Sequence, residues 1–472
     1  MASPRSANVV GSGPNGLAAA IVLAQAGLRV RLWEGQGTLG GGLRSGELTL
    51  PGFIHDLGSA VHPLAISSPF FCTLPLHAFG LRWIQPELPL AHPLDHDSAL
   101  LFRSLDETAD HLGPDGPLYR RLMEPLVEHW DDLMSEFLRP LLHVPEHPLL
   151  LARFGIRALP PVTLLARMFK TKRARALLGG LAAHSVLPLT SPGTTAFALM
   201  LGGAGHARGW PFPQGGAQAL TDALVGYFRF LGGEVTLNTP VQHLRELPPA
   251  DLTLLDVGPP ALLELAQGRL PESYVQRLRR FRYGPGSFKV DYALSAPLPW
   301  TDPQVGRAGT VHLGGDLASL TRAEAAPHRG RLSGAPYVLL AQQSLADPSR
   351  APAGGHTVWA YSHVPNATQQ DALPQLEAQI ERSAPGFQSL VLGRTVSSPA
   401  TLQASNSNLV GGDVGGGANS LWQLLARPVL SAQPYRTPVG GVYLCSASTP
   451  PGGGVHGMAG YWAAQLALRE FR

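Results

Sequence analysis

Residues 7–34 read ANVVGSGPNGLAAAIVLAQAGLRVRLWE, and this stretch decides the fold. A short apolar strand runs into Gly11, Gly13 and Gly16, an Ala- and Leu-rich helix follows, and a second strand ends at Glu34. In a dinucleotide-binding βαβ unit the first glycine allows the tight turn, the second lets the backbone approach a diphosphate, and the third lets helix and strand pack closely. The predicted nucleotide contacts in this stretch are Gly11, Ser12, Gly13, Pro14, Asn15, Gly16 and Glu34.

The order of these elements favours nucleotide binding over an ordinary glycine turn. The first N–H groups of the helix are expected to face the diphosphate. Glu34 stands at the distance expected of the acid that accepts hydrogen bonds from the ribose hydroxyls. Because an acid here disfavours a cofactor with a 2′-phosphate, the stretch favours FAD or NAD over NADP and leaves those two open.

A second glycine-rich run begins directly after Glu34. Such a run suits backbone contact with a second part of an extended cofactor, and an arginine behind it can bridge the diphosphate. The alternative is a flexible surface loop. The predicted contacts in this run are Gly35, Gly41, Gly42, Leu43 and Arg44.

Length, charge and cysteine content limit the remaining possibilities. A chain of 472 residues predicts two or three domains. The net charge is only +3 and no nucleic-acid-binding motif occurs, so no nucleic-acid partner is expected. Cys72 and Cys445 form no CxxC motif, which argues against a redox dithiol and against a metal site. The first strand starts near residue 8, leaving no room for a signal peptide, and this predicts a cytoplasmic protein.

Several blocks resemble the phytoene-desaturase-related flavoproteins, which are relatives of the FAD-dependent amine oxidases. The likeness rests on Gly11–Gly16, Glu34, the Gly-Gly-x-x-Arg motif at 41–44 and the Asp-x-Gly-Ser motif at 56–59. It resumes at 210–216 and 232–241. The resemblance implies cofactor contacts from Gly58 and Ser59, and an adenine contact through the backbone of Val241.

The C-terminal third is most similar to the branch of that family that includes pyridine nucleotide-disulfide oxidoreductase domain-containing protein 2, through residues 408–417, Arg427-Pro428, 434–445 and 450–457. Residues 450–454 are a glycine turn and 455–468 have the composition of a helix, whose N-terminus carries a partial positive charge. The resemblance places that terminus, with Gly454 and Val455, against the flavin, and this favours FAD over NAD. Two departures from the family pattern occur, at Ser446 and at Asp256-Val-Gly258.

The intervening segments predict a second domain. Strand patterns occur at 81–84 and 99–102 and again, separated by Pro/Gly-rich turns, at 287–293, 310–313, 337–342 and 356–361, with a helix over 370–382. Leucines and aromatics recur at helical spacing between 118 and 141. That stripe is either core, an apolar substrate tunnel or a membrane-facing patch. The basic run 170–175 is either a solvated face, which is the commoner case, or a site of peripheral contact with the anionic inner face of the membrane. The uncharged run 176–207 contains Pro and Gly, so it predicts a buried or surface-lying segment rather than a membrane span.

The predicted fold class is α/β: a Rossmann-like FAD-binding domain with an inserted α+β substrate domain, made of a mixed sheet and a helical cap. We assign 1–75, 205–260 and 408–472 to the FAD-binding domain, and 76–204 and 261–407 to the substrate domain, with helices over about 105–200.

The predicted activity is an FAD-dependent oxidoreductase that desaturates or isomerises a hydrophobic, carotenoid- or polyene-like substrate by hydride transfer to the flavin. Oxygen, a quinone or a protein is the expected electron acceptor. His62 and His456 are candidates for proton transfer, and each has a purely structural alternative. The alternatives are a flavin amine oxidase, with Tyr461 and Trp462 as the nearest aromatic residues for a cage, and an FAD-holding protein without turnover.

Overall fold

The glycine-rich turn near the N-terminus lies at the centre of a five-stranded parallel sheet. A computed structural model describes residues 5–95 and 97–471. The strand order is β16-β10-β1-β2-β9, and every neighbouring pair is parallel. Its inner strands are short apolar runs, as expected of a sheet covered on both faces. The strands are β1 (Ser6–Val10), β2 (Arg29–Trp33), β9 (Glu234–Thr236), β10 (Leu252–Leu255) and β16 (Val442–Leu444).

Helices from distant parts of the chain cover this sheet. Helix α1 (Pro14–Gln25) begins with a proline at a position where the missing N–H costs nothing, and α16 (Met458–Phe471) crosses it in backbone contact. A Cβ on Gly460 would lie 1.8 Å from the Asn15 carbonyl oxygen. The helix predicted over 455–468 begins at Met458, because the φ of +68° at Gly457 does not continue a helix. The other helices beside this sheet are α9 (Gln218–Phe230), α10 (Pro259–Leu265) and α11 (Glu272–Arg279).

The second sheet has seven strands in the order β15-β11-β14-β13-β12-β6-β7. Only β6 and β12 are parallel, so the sheet is mixed, as predicted. The strand over 88–94 contains two prolines, which hid it from the sequence pattern, and the strand over 391–397 was also not predicted. The strands are β6 (Leu88–Leu94), β7 (Asp97–Leu101), β11 (Gly286–Leu294), β12 (Ala308–Leu313), β13 (Val338–Ala341), β14 (His356–Val364) and β15 (Val391–Ser397).

The two faces of this sheet differ in chemistry. Along β11, Phe288, Val290 and Tyr292 join an apolar cluster with the predicted helix, α13 (Leu373–Ser383). The alternate residues of β11 are polar, although the whole strand is buried. Since successive side chains of a strand point to opposite faces, the polar residues share the face away from α13.

The chain from residue 105 to residue 207 is mostly helical, and its helices form one layer, which we call the helical layer. Of the predicted apolar stripe, Leu122, Leu126, Trp130 and Leu133 are buried, whereas Leu141 is exposed. The uncharged run 176–207 forms most of α7 and α8, which are largely buried. The helices are α2 (Leu105–His111), α3 (Gly116–Glu128), α4 (Trp130–Phe137), α5 (Pro148–Ala158), α6 (Val162–Leu165), α7 (Lys172–Ala183) and α8 (Thr194–Ala207).

The remaining elements are short. Within the ranges given above, no single helix has both the length and the apolar character needed to cross a bilayer; only the bent pair 148–158 and 162–168 meets the criteria together. The short helices are α12 (Leu317–Ala325), α14 (Pro399–Ser405) and α15 (Leu421–Leu425), and the two small hairpin-like sheets pair β3 (Ser45–Glu47) with β4 (Ile54–Asp56) and β5 (Trp83–Ile84) with β8 (Phe212–Pro213).

Candidate active site

One cavity of about 1890 Å³ runs from the glycine-rich turn to the polar face of the seven-stranded sheet. Ordinary ligand pockets measure roughly 300–1,000 Å³, so this space can hold an extended ligand together with a second molecule. Most of the predicted contact residues line it, from the first glycine motif, the second glycine run, the 56–59 motif, Val241 and the C-terminal turn.

The first glycine motif forms a backbone cradle at one end of this cavity. Gly11 has a φ of +95°, and a Cβ on Gly16 would lie 2.0 Å from the Gly11 carbonyl oxygen. A Cβ on Gly41 would lie 3.0 Å from the Gly13 Cα, so the second glycine run packs directly on the first. Gly16 itself lies behind the cavity wall, where it sets the spacing of helix and strand, as predicted.

Glu34 is held at the edge of the cradle by protein donors. Its Oε2 accepts hydrogen bonds from the Ser12 backbone N–H, at 3.0 Å, and from the Ser12 hydroxyl. Its Oε1 accepts one from the Gln36 N–H at 2.9 Å. A carboxylate has about four lone-pair sites, so Glu34 retains capacity for an incoming hydroxyl. The Thr239 N–H donates to the Glu34 carbonyl at 2.9 Å, which brings half-buried Val241 beside this acid.

Asp256 is the unexpected group in the cradle. It follows β10, and its Oδ2 accepts a hydrogen bond from the Gly16 N–H at 3.0 Å. The same oxygen lies 2.7 Å from the position a Cβ on Gly13 would take. Burial raises the pKa of Asp256 to about 7, the Gly16 N–H opposes this shift, and the Glu34 charge adds to it. The sequence marked Asp256 only as a departure from the family pattern.

The second glycine run and the 56–59 motif are joined by backbone hydrogen bonds. The Leu57 N–H donates to the Arg44 carbonyl at 2.8 Å, and the Ser59 N–H donates to the Gly42 carbonyl at 2.9 Å. A Cβ on Gly58 would lie 2.4 Å from the Gly42 carbonyl oxygen. The run is therefore an ordered wall of the cavity rather than a flexible surface loop.

The two side chains predicted in that run point to different places. Arg44 lines the cavity, donates to the carbonyls of Gly41 and Ser405 at 2.9 Å each, and has a pKa lowered by burial. Leu43 is fully buried in the core beside the parallel sheet and is not among the residues that line the cavity. Only its backbone lies near the cradle.

The C-terminal turn closes the opposite wall. Gly454, Val455 and His456 line the cavity. The fully buried Arg427 holds this turn to the 415–417 loop, donating to the Ala447 carbonyl at 2.9 Å and to the Gly415 carbonyl at 2.7 Å. Burial lowers its pKa to about 10. Because α1 and α16 touch near their N-terminal turns, the two turn-to-helix junctions face one cavity.

The two candidate histidines differ in their surroundings. The Nδ1 of His456 accepts a hydrogen bond from the Met458 N–H at 3.0 Å, which is a structural role at the start of α16. Both ring nitrogens of buried His62 have no hydrogen-bond partner among residues 5–95 and 97–471. Burial lowers the pKa of each to about 4, so both are neutral near pH 7.

The aromatic pair on α16 does not face the cavity. The Trp462 indole N–H donates to the Leu138 carbonyl at 2.8 Å, and the Tyr461 ring lies 5.1 Å from that of Phe70. Neither is among the cavity-lining residues. These two side chains pack the helical layer onto the parallel sheet and form no aromatic cage there.

The other end of the cavity is the polar face of the seven-stranded sheet. Lys289 on β11 stands directly opposite Tyr361 on β14. Trp359 lies two residues before Tyr361, on the same face of β14. All three line the cavity, as do Ser287 and Thr310. These residues were not predicted from the sequence, although the alternation Ser-Phe-Lys-Val-Asp-Tyr over 287–292 is typical of a strand with one polar face.

Lys289 belongs to a buried cluster of charges. Its ammonium group pairs with the Asp291 carboxylate, and the other oxygen of Asp291 lies 3.7 Å from Nδ1 of His55. Burial raises the pKa of Asp291 to about 6 against the opposing effect of Lys289. The neighbouring Asp56 is paired with Arg350 at 2.8 Å, and the Arg350 guanidinium lowers its pKa against the effect of burial.

A second group of buried polar residues lies behind the cavity wall. His184 lines the cavity, and its Nε2 lies 2.9 Å from Nε2 of His312. His363 Nδ1 lies 2.8 Å from the Glu324 carboxylate, and the Tyr337 ring stacks on His363 at 5.7 Å. Within the described parts of the chain, no group of three or more His, Cys, Asp or Glu side chains is placed to hold a metal ion.

The residues present fit an extended nucleotide cofactor. Glycines at 13, 41, 42 and 58 expose backbone at the cavity surface. A Cβ on Gly42 would meet no protein atom within 4 Å, so it would project into open space, whereas a Cβ at the other three positions would meet backbone or carboxylate atoms. The buried Oδ1 of Asn15 and the ring of His62 are polar groups at the cavity for which residues 5–95 and 97–471 supply no partner. Such buried polar groups are satisfied in most proteins, and a bound ligand can satisfy them here.

Comparisons with known proteins agree with this architecture. Residues 9–69 match the family described as NAD(P)-binding Rossmann-like domain. The chain is 27% identical to pyridine nucleotide-disulfide oxidoreductase domain-containing protein 2 of Mus musculus, over 98% of this chain and 93% of that protein. Its fold is similar to that of an oxidoreductase from Methanosarcina mazei (TM-score 0.63, 14% identity, covering 98% of this chain and 100% of the other). It is also similar to cyclohexylamine oxidase from Brevibacterium oxydans (TM-score 0.60, 15% identity, 99% of both chains). The predicted resemblance and the α/β fold class are confirmed.

Proposed function

We propose that this protein is an FAD-dependent oxidoreductase that acts on a hydrophobic substrate. The proposal starts from its homology to pyridine nucleotide-disulfide oxidoreductase domain-containing protein 2 and from its amine-oxidase-like α/β fold. Its reaction is the desaturation, or the isomerisation, of a carotenoid- or polyene-like molecule. FAD is held by the glycine cradle and the C-terminal turn, and the substrate lies against the seven-stranded sheet. The electron acceptor is oxygen, a quinone or another protein.

The observation that carries this proposal is the continuity of the cavity. The Trp359 indole N–H, on the substrate side, donates to the Gly58 carbonyl of the nucleotide side at 3.1 Å. This contact joins the seven-stranded sheet to the 56–59 motif, which lines the nucleotide side of the cavity. Apolar residues of the helical layer, including Phe154, Phe197 and Met200, line the remaining wall and exclude water from the space beside the cradle.

Desaturation removes a hydride from one carbon and a proton from its neighbour, and the electrons of the second C–H bond form the new double bond. FAD, when bound, supplies the hydride acceptor. The His62 ring in the cavity wall has no hydrogen-bond partner among the described residues, so the one nitrogen of its neutral imidazole that carries a lone pair is free to accept that proton. The Lys289 ammonium group, held by Asp291, places positive charge on the substrate side of the cavity.

The test begins with the purified protein and its extracted chromophore. We expect the released compound to be FAD. Anaerobic mixing with a polyene is then expected to bleach the flavin absorbance, and admission of air or addition of a quinone identifies what restores it. A protein that is colourless and does not bind added FAD would contradict the whole proposal, whereas retained FAD that no compound bleaches would identify a flavin-holding protein without turnover.

Amine oxidation is the second candidate, because the substrate end has an aromatic wall. The Trp359 and Tyr361 rings lie 5.2 Å apart in a T-shaped arrangement and both line the cavity. Aromatic faces attract ammonium groups. Lys289, directly across from Tyr361, opposes a cationic substrate by like-charge repulsion. Bleaching by amines but not by polyenes would select this activity over desaturation.

A further inference from the structure

An exposed apolar surface surrounds one opening of the cavity, and we call it the collar. It consists of residues 141–168 and 421–425. Large apolar side chains that are exposed in soluble proteins usually occur singly, so a group of this size calls for a physical reason.

The helix α5 is apolar on both of its sides. Phe154 and Ala158 are buried in the helical layer. Leu149 and Ile156 point outwards and are 74% and 77% exposed. A surface helix of a soluble protein normally turns a polar face to water, whereas the only charged residues of α5 are Arg153 and Arg157. The chain then turns by 80° into residues 162–168, which end in another exposed apolar residue, Met168.

The two segments of the collar meet at the opening. The Gly193 N–H donates to the Leu159 carbonyl at 2.7 Å, and a Cβ on Gly193 would lie 3.0 Å from the Leu421 side chain. Leu141, Leu159, Leu421 and Leu425 are exposed to solvent and also line the cavity. The opening is therefore bordered by apolar side chains, and Trp422, which is 67% exposed, stands beside it.

The collar and the basic run that follows it carry a net positive charge. The one acid of the collar, Glu146, is paired with Arg139 at 2.8 Å. No Asp or Glu occurs between residues 147 and 221, whereas seven Lys and Arg lie between 148 and 175. Arg153, Arg167 and Lys170 are exposed. Arg173 is already engaged by Asp97, with N and O atoms 2.6 Å apart, so only part of the predicted basic run is available. A second copy of this chain would bring the same positive patch against itself in a two-fold interface, which disfavours self-association.

We propose that the collar docks on an anionic lipid bilayer. Leu149, Ile156 and Trp422 enter the boundary between headgroups and acyl chains, while the arginine and lysine side chains contact lipid phosphates. Docking does not depend on the proposed redox chemistry. That the cavity receives its hydrophobic substrate from the bilayer does rest on the proposed function, because it requires such a substrate.

The test is sedimentation of the full chain with phosphatidylcholine vesicles, with and without phosphatidylserine. We expect binding to the anionic vesicles. Ile156→Glu is expected to weaken binding about tenfold or more, because a charge replaces an inserted side chain. Arg153→Gln and Lys170→Gln are each expected to weaken binding about fivefold, on anionic vesicles only.

The matched control is Phe230→Glu. Phe230 is 75% exposed, like Ile156, but lies at the end of α9, outside the collar and the cavity lining. This variant is expected to bind vesicles as the wild type does. Thermal melting of both variants checks that each is folded, since both replace side chains that are already in water.

A second measurement keeps the proposal testable if substitution alters solubility. Brominated lipids are expected to quench part of the tryptophan fluorescence of the wild type, and Trp422→Leu is expected to remove that part. Equal binding by Ile156→Glu and wild type would overturn the proposal. The proposal would also be overturned if the wild-type protein did not bind anionic vesicles and instead formed dimers that Ile156→Glu dissociates. Loss of vesicle binding with intact flavin reduction would separate this proposal from the proposed function.

Discussion

The two ends of the cavity are built from different parts of the polypeptide. At the nucleotide end, glycines at 11, 13, 41 and 58 bring backbone atoms to the surface, and a few long side chains, such as Glu34 and Arg44, stand among them. At the substrate end, the wall consists of large side chains from several strands and helices, and buried charges such as Lys289 and Asp291 lie within and behind it.

This difference determines how each end responds to change. A backbone cradle tolerates little added volume, because the atoms it would displace belong to the main chain. Buried charges tolerate the loss of a partner poorly, because the desolvation of the remaining charge is then no longer offset by an ion pair, and this destabilises the folded state. The predictions below test this contrast, starting with the largest expected effect.

Lys289→Met tests the substrate end. Removing the partner of buried Asp291 is expected to cost about 3–5 kcal/mol of the free energy of unfolding. Lys289 lowers the pKa of Asp291, so its removal raises that pKa further above the unfolded value. The folded variant then holds a proton that the unfolded chain has released, and its stability falls as pH rises from about 4, where aspartate of the unfolded chain ionises, up to the raised pKa of the folded chain. Urea denaturation across this range measures both effects.

Lys289→Met combined with Asp291→Asn is the matched variant. With no lone charge left, the double variant is expected to recover part of the lost stability and to lose the added pH dependence. A double variant as unstable as the single one would show that packing, rather than charge, sets the cost.

Gly16→Ala tests the nucleotide end. The added Cβ would lie 2.0 Å from the Gly11 carbonyl oxygen, so strand and helix must separate. We expect a loss of about 3 kcal/mol in the free energy of unfolding. Gly334→Ala is the control, because Gly334 is exposed and a Cβ there meets nothing within 4 Å. If both variants unfold at the same urea concentration, the helix and strand are not in the tight contact described.

Glu34→Ala tests a side chain at the nucleotide end, where most of the predicted cofactor contacts come from the backbone. Loss of a charged acceptor for the ribose hydroxyls is expected to weaken FAD binding by about 2 kcal/mol, or roughly 30-fold. Glu234→Ala, on the neighbouring strand and paired with Arg31 at the surface, is expected to leave FAD binding unchanged. Unchanged FAD retention in Glu34→Ala would place the ribose contact elsewhere.

Asp256→Asn tests the one buried charge of the cradle. With a pKa of about 7, Asp256 becomes negative as pH rises through neutrality and then opposes a diphosphate near Gly13. FAD binding by the wild type is therefore expected to weaken as pH rises above about 7. The variant keeps an acceptor for the Gly16 N–H and is expected to bind FAD about tenfold more tightly near pH 8, and about equally near pH 5. Identical pH profiles of the FAD dissociation constants would show that Asp256 stays neutral throughout.

The sequence predicted the nucleotide end of the cavity in more detail than the substrate end. The turn at Gly11 and the close helix–strand contact at Gly16 were predicted, because a turn and the start of a helix are local events that need particular residues at fixed spacing. The approach of the Gly13 backbone to a diphosphate stays a prediction. Most strands of the second sheet were predicted from alternation and apolar content, but the proline-containing β6 and the strand β15 were not. The domain boundaries and the identity of the cofactor stay predictions.

The histidines show where local information stops. His62 and His456 were equal candidates in the sequence, both beside cofactor loops. The structure gives His456 a backbone donor at Met458 and leaves the His62 ring without a partner from the described ranges. The sequence also left open whether Tyr461 and Trp462 line a cage or pack in the core. They contact Phe70 and Leu138, because the face of α16 that carries them meets the core.

The amino-acid sequence alone determined the α/β class and the strand–turn–helix unit at residues 7–34, because glycine spacing and strand patterns act over a few neighbouring residues. Tertiary structure alone decided that Lys289 faces Tyr361 and that Asp256 enters the first glycine turn. Each of those contacts joins segments that are about 70 or 240 residues apart, and strand register and packing bring such segments together only when the whole chain has folded.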